Sequence, residues 1–249
     1  MRIRVINPNT TSSMTRTIGV AASAAVSPGV EVVAVSPSHG PVSIECHYDE
    51  AMACVGLLDE VRKGEAEGVD AYVIACFGDP GLDAARELAR GPVLGIAEAA
   101  MRAASFLATG FSVVTTLKRT VVIAEHLVDK YGMRHHCRRV RACEIAVLEL
   151  ESPQSDAYRT ILAECRRALA EDDSSAIVLG CAGMADLCQR LSDELGVPVI
   201  DGVTVATSMA EALVRARLAT SKRGDYAYPL AKAYTGMLAP FAPSVEATQ

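Results

Sequence analysis

The chain has 249 residues, half of them hydrophobic, with 4% aromatics and no tryptophan. It therefore holds one large or two modest α/β domains whose core is built mostly from Ala, Val, Leu and Ile. A net charge of −6 without any basic run argues against a nucleic-acid partner. No apolar stretch reaches the ~18 residues of a membrane span, and the opening MRIRVINPNT lacks the regions of a signal peptide, so the cytoplasm is the expected compartment.

In chain order, Ile3 to Ile6 reads as a first strand and Asn7-Pro8-Asn9-Thr10 as a turn. Thr11 or Ser12 caps a helix that runs to about Val26. Val30 to Val35 is a second strand, followed by a loop from Ser36 to His47. A helix opens at Asp49-Glu50, where acids complement the helix dipole, and reaches Gly68. Ala71 to Ala75 is an apolar strand that ends on Cys76, and a turn leads into a helix from about Pro80 to Ala89. Gly91-Pro92-Val93-Leu94 is a short strand and Ala97 to Leu107 a helix.

The plan restarts at Phe111. Ser112-Val113-Val114 is a strand with Thr115-Thr116 behind it, a helix ends near Tyr131-Gly132, and Arg134 to Ala142 is the next strand. A helix spans Gln154 to Ala170, with Ile161, Leu162, Cys165 and Leu169 on one face. Then SAIVLGCAGMADL repeats DAYVIACFGDPGL: Cys181 follows Cys76 by 105 residues, and Ala71, Val73, Gly78 and Leu82 find Ala176, Val178, Gly183 and Leu187 at the same offset. Pro198 repeats Pro92, and a helix after Gly202 ends near Arg217. Units this long are similar lobes rather than solenoid repeats. The expected fold is α/β with two pseudo-symmetric lobes, each a mostly parallel sheet flanked by helices: 1–107 joined by a return segment 218–249, and 108–217. The return segment carries Tyr226, Tyr228 and Tyr234 and an expected helix from Pro229 to Leu238 that packs back on the first lobe.

Continuous apolar strands fit a parallel sheet buried on both faces. Ligands of such sheets bind beyond the carboxyl ends of the strands, so Cys76 and Cys181 are expected at one cleft between the lobes. The other six cysteines have no C-x-x-C spacing and no histidine pair beside them, which speaks against structural zinc. Cys54, Cys165 and Cys188 read as core, Cys137 and Cys143 as structural flanks of a basic strand, and Cys46 as a loop residue. A free thiol titrates at about 8.5 and a helix N-terminus lowers that value, so both cleft thiols are expected to be partly ionised near neutrality.

Nucleophilic cysteines pair with a positioned histidine, and none of His39, His47, His126, His135 and His136 lies in a cysteine strand or its turn. His135 and His136 read as surface residues, whereas His39 and His47 flank the loop before the second helix. Two thiols without a histidine suit acid–base work: one removes a proton from carbon on one face, and the other returns one on the opposite face. Backbone N–H groups at Phe77-Gly78 and Ala182-Gly183 are natural donors to the enolate.

The pair of cysteine strands, the opening INPNT and the PVSIE loop before the DEA helix resemble the aspartate/glutamate racemase superfamily. Within it, AYVIACFGDPGL, AIVLGCAG and PVIDGV are most similar to the hydantoin racemases, over roughly residues 1 to 235. The resemblance implies a cofactor-independent isomerase that racemises 5-monosubstituted hydantoins at C5, a small-molecule substrate, and a homo-oligomer. It implies Cys76 and Cys181 as the two bases. For the substrate ring it implies Asn9, Ser43, Ile44, Phe77, Gly78, Thr115, Thr116, Ala182 and Gly183, and no metal. Cys46 becomes a neighbour of the site, and Glu45 a residue that orients a loop.

An allantoin racemase would keep both cysteines but hold a polar ureido group, and Phe77 and Ile44 favour an apolar substituent instead. An amino acid racemase would need more polar groups beside the thiols. Arylmalonate decarboxylases keep one of the two thiols, and maleate isomerases use one as a nucleophile. A non-catalytic two-lobed binding protein would have no use for two poised thiols, and selective alkylation separates it from the rest.

Overall fold

The computed structural model describes residues 1–152 and 155–243. Two four-stranded parallel sheets with the same strand order form the two lobes. In the first, β1 (Arg2–Ile6), β2 (Glu31–Val35), β3 (Ala71–Ile74) and β4 (Val93–Gly95) lie in the order β2-β1-β3-β4. In the second, β5 (Phe111–Thr115), β6 (Cys137–Ala142), β7 (Ala176–Leu179) and β8 (Val199–Ile200) lie in the order β6-β5-β7-β8. Ile3 pairs with Ala71 in one sheet and Phe111 with Ala176 in the other, so the register of the sequence repeat survives in the ladders.

The helices are α1 (Ser12–Ala24), α2 (His47–Ala66), α3 (Leu82–Leu88), α4 (Ile96–Leu107), α5 (Lys118–Lys130), α6 (Ala157–Glu171), α7 (Cys188–Leu195) and α8 (Gly202–Arg215). Each buries one stripe. Met14, Ile18 and Ala22 of α1 and Ile161, Cys165 and Ala168 of α6 recur at three- and four-residue spacing and are buried. A fully buried Ile or Leu contributes about 2 kcal/mol. The last helix of each half lies between the lobes. α4 packs on β7 and β8 of the second sheet as well as on β4, and α8 packs on β3, β4 and β1 of the first sheet. The two helices meet along their lengths and start back to back. A Cβ on Gly202 would lie 2.3 Å from the Ile96 carbonyl oxygen, so a residue without a side chain is required there.

The helix expected over Pro229–Leu238 does not form. That stretch is irregular, and 3-10 turns occupy Gly224–Tyr226 and Gly236–Phe241. Gly236 is left-handed (φ 62°), Pro240 removes a donor, and Leu230 and Met237 stay exposed. A ten-residue helix with no apolar face to bury is not stable. The return to the first lobe is made by a strap. Thr220 donates through N–H to Arg90 O (3.1 Å) and through Oγ1 to Gly91 O (2.6 Å), Lys222 reaches Arg86 O (2.6 Å), and Arg62 reaches Pro240 O (2.9 Å). The sixth helix starts at Ala157, while its expected start, Gln154, lies outside the described residues, as does the tail from 244 on. Among the described residues no helix is long and apolar enough to cross a membrane.

Candidate active site

Both cysteine strands run out at the same cleft. Cys76 lies two residues beyond Ile74, the end of β3, and Cys181 two residues beyond Leu179, the end of β7; together they line one cavity of about 50 Å³. The wall joins both lobes. Of the residues predicted for the ring, Asn9, Ile44, Phe77, Gly78, Thr115, Thr116 and Ala182 are in it. Ser43 lies outside the wall. Gly183 sits behind Cys181, where an added Cβ would be 3.7 Å from Sγ.

The turns that carry these residues are held by their own polar groups. Asn7 Nδ2 donates to Asn9 Oδ1 (2.8 Å) and Thr15 Oγ1 (3.0 Å), and Asn9 Oδ1 also accepts the Thr11 N–H (2.9 Å). Thr10 N–H and Thr11 Oγ1 reach Pro41 O and Val42 O across the Ser36–His47 loop (2.9 and 2.6 Å). That loop is latched to the second lobe, where Glu45 Oε1 accepts the Val147 N–H at 2.8 Å. On the far wall Thr115 Oγ1 bonds Gly180 O and Thr120 Oγ1, both at 3.1 Å.

Burial pushes both thiols up rather than down, Cys181 to about 11 and Cys76 further. The backbone N–H of Gly78 at Cys76, and of Gly183 at Cys181, pulls the other way. The charges of Glu50, Cys181 and Asp79 raise Cys76 again, and those of Cys143 and Glu45 raise Cys181. The expected depression fails because the helix end is not at the thiol. Asp79 (φ 44°) and Gly81 (φ 64°) turn left-handed, and α3 begins only at Leu82. Cys181 opens a 3-10 turn, Ala182–Leu187, ahead of α7. Each thiol thus has one backbone donor against the desolvation of a half-buried site, and desolvation wins.

Several wall residues were not singled out in the sequence: Asn7, Met14, Thr120, Ile123 and Val147, and above all Glu50. The sequence marks Glu50 only as an acid at a helix start. It sits in the first turn of α2, and that turn is laid against the Cys76 turn so closely that a Cβ on Gly78 would meet Glu50 Oε1 at 1.9 Å. Asp79 is buried behind the site. Its carboxylate accepts the Ala97 and Glu98 N–H groups at the start of α4 (3.0 Å each) and the Tyr131 hydroxyl of the second lobe (2.6 Å). Burial holds it up at about 6. Among the described residues no group of three His, Cys, Asp or Glu side chains has the spacing of a metal site. Cys165 is in the core and Cys54 and Cys188 lie on helices, away from the wall, whereas Cys46 is in it.

A profile of the Asp/Glu/hydantoin racemase family matches residues 3–210. The chain is 54% identical over 236 residues to a hydantoin racemase of Rhizobium meliloti, covering 95% of this chain and 98% of that one. It is 49% identical to a hydantoin racemase of Pseudomonas sp. strain NS671, covering 97% of each. An allantoin racemase structure from Klebsiella pneumoniae superposes with a TM-score of 0.96 at 55% identity, over 98% of this chain and 100% of that one. With two matching lobes, a family profile that spans both, and near-complete coverage of its relatives, the chain belongs to the Asp/Glu/hydantoin racemase family.

Proposed function

We propose that the chain inverts C5 of 5-monosubstituted hydantoins, with Cys76 and Cys181 as the two bases and without a cofactor. The observation that carries this is the convergence of the two thiols, one from each lobe, on a single cavity. The two relatives named hydantoin racemase, alike along nearly their whole length, support it. The C5 proton lies beside a ring carbonyl, so its removal leaves an enolate. One thiolate takes that proton and the opposite thiol delivers another to the other face. Burial raises both thiols and so favours their neutral form; one ionises when substrate enters. The Gly78 and Gly183 N–H groups, already aimed at the sulfurs, stabilise whichever is the thiolate. The Glu45 latch and the apolar side chains of Ile44, Phe77 and Val147 keep water from the carbanion. The exposed Leu230 and Met237 of the C-terminal strap support a homo-oligomer.

A second reading, allantoin as the preferred hydantoin, is favoured by the likeness to the Klebsiella pneumoniae structure and by the polar side of the wall, Asn7, Asn9 and Thr120. One experiment tests both. Enantiopure 5-benzylhydantoin and allantoin are incubated separately with the enzyme in D₂O, following optical rotation and deuterium at C5. Rotation lost together with deuterium gained is expected for the first, and a faster loss with allantoin would move the assignment to the second. Retention of rotation with both would end the racemase reading.

A further inference from the structure

Racemisation by two thiols leaves the enzyme in the wrong protonation state. After one inversion the sulfur that was a thiolate carries a proton and the opposite sulfur has lost one. The next turnover in the same direction therefore has to move a proton out of one site and into the other. The cavity is small and Glu45 ties its loop to the second lobe, so a side chain that carries the proton between thiol and solvent speeds each reset.

Glu50 supplies the start of one. It is the acidic residue of the wall, its carboxylate lies against Gly78, and Gly78 provides the N–H bonded to Cys76. The Glu50 side chain is 17% exposed, and its other oxygen faces His47 Nδ1 at 3.5 Å. His47 is 64% exposed and stacks on His126 of α5, with ring centroids 6.4 Å apart and planes 22° from parallel. The series Cys76, Glu50, His47 thus runs from the cavity to solvent at the mouth between the lobes. At Cys181 the neighbouring carboxylate, Glu45, is committed to the Val147 N–H. The positions 105 residues after His47 and Glu50 are Ser152 and Ser155, neither of which titrates near neutral pH.

We propose that Glu50 and His47 form a proton relay that connects Cys76, and not Cys181, to solvent; this rests on the two-thiol reading above. In the outward direction the Cys76 thiol gives its proton to the Glu50 carboxylate, Glu50 passes it to the free imidazole nitrogen of His47, and His47 loses it to buffer. The reverse order reprotonates the thiolate. No electrons move, and one proton leaves for each thiolate formed. Burial raises the Glu50 carboxyl above its ordinary range and His47 opposes that rise. The titratable groups facing the relay are Asp49 and Cys54 on α2, Cys76 on the turn after β3, and His126 on α5.

The test uses the full chain as His47→Gln and Glu50→Gln, with folding checked by circular dichroism. At low buffer concentration, steady-state racemisation by His47→Gln should fall roughly ten-fold. Added imidazole should restore it, while first-turnover deuterium exchange at C5 keeps the wild-type rate for the enantiomer that Cys181 deprotonates and slows for the one that Cys76 deprotonates. Glu50→Gln should show the same split between first turnover and steady state. Deficits equal in both phases and indifferent to imidazole would make the pair merely structural and overturn the relay, as would wild-type rates at low buffer. A substrate-free measurement separates this failure from a failure of the racemase reading. In the Cys181→Ser background at one fixed alkaline pH, Cys76 alkylation by iodoacetamide should quicken in Glu50→Gln, and an unchanged rate overturns the relay whatever the enzyme does to hydantoins.

Discussion

The two halves share strand order, register and a cysteine at the same place, yet they hold their last helices differently. In the second half the residue just before α8, Asp201, caps it directly, accepting the Thr204 N–H at 2.9 Å. In the first half Gly95 stands at the start of α4 and offers no side chain, so the cap arrives from elsewhere. Asp79, three residues past Cys76, reaches the Ala97 and Glu98 N–H groups. Met184 occupies the matching position after Cys181 and is buried among apolar side chains. The lesson is that a duplicated plan fixes where backbone elements go, while each half satisfies its orphan helix N–H groups with whatever polar residue lies near. In the first half that choice binds the Cys76 turn to the helix between the lobes.

Substitutions at the two thiols would break the comparison most severely. Cys76→Ser and Cys181→Ser should each lose racemisation by about 10³-fold or more, because inversion needs both faces. C5 exchange without inversion should persist in each, for opposite enantiomers, as read by deuterium incorporation into each pure enantiomer. Exchange of the same enantiomer by both variants would deny the two-base assignment.

The caps come next. Asp79→Ala strips two helix N–H groups and the Tyr131 hydroxyl of a buried acceptor and should cost about 3 kcal/mol by urea unfolding. Asp201→Ala, the loss of one ordinary cap, should cost about 1 kcal/mol. Equal costs would show that the two caps are interchangeable after all.

The same residue gives a pH signature. The Asp79 carboxyl is held at about 6 in the fold and ionises near 3.9 when unfolded, so the folded state binds the extra proton between those values. Its contribution is complete below the unfolded value and is lost as pH rises through the folded one. Wild type should therefore lose about 3 kcal/mol relative to Asp79→Asn between pH 4 and pH 7. A constant difference across that range would remove the buried charge from the account.

A smaller effect separates the thiols in the free enzyme. Cys181 is raised to about 11 and Cys76 beyond it, so alkylation should climb with alkaline pH at Cys181 first. Mass mapping of iodoacetamide adducts reads this directly. Least of all, Cys54→Ala and Cys188→Ala should leave racemisation within about two-fold of wild type, since neither side chain reaches the wall.

The strands were legible because parallel sheets buried on both faces write themselves as unbroken apolar runs, and AYVI and AIVL are both buried throughout. The cysteines were legible because a strand end in such a sheet is a site. Glu50 was not. Its place in the cavity comes from how the first turn of α2 settles on the Cys76 turn, a tertiary contact that helix periodicity does not encode. The thiol ionisation was misread for a related reason: the sequence signals a helix after Cys76, but the left-handed Asp79 and Gly81 delay it to Leu82. The return segment misled through composition, since PLAKAYTGML contains good helix formers, but stability in a short helix comes from a buried face, and this one has none.

The placement of α4 and α8 sets how the molecule comes apart. Each covers the sheet of the half it does not follow, so a chain severed between Leu107 and Phe111 would yield two fragments, each with an uncovered sheet and a spare helix. Neither would stand alone, and the economical solution for each is to trade that helix with a second copy of itself. The intact chain performs the exchange internally. It should therefore melt in a single cooperative step rather than lobe by lobe, and a duplicated ancestor of one half is most naturally a domain-swapped pair.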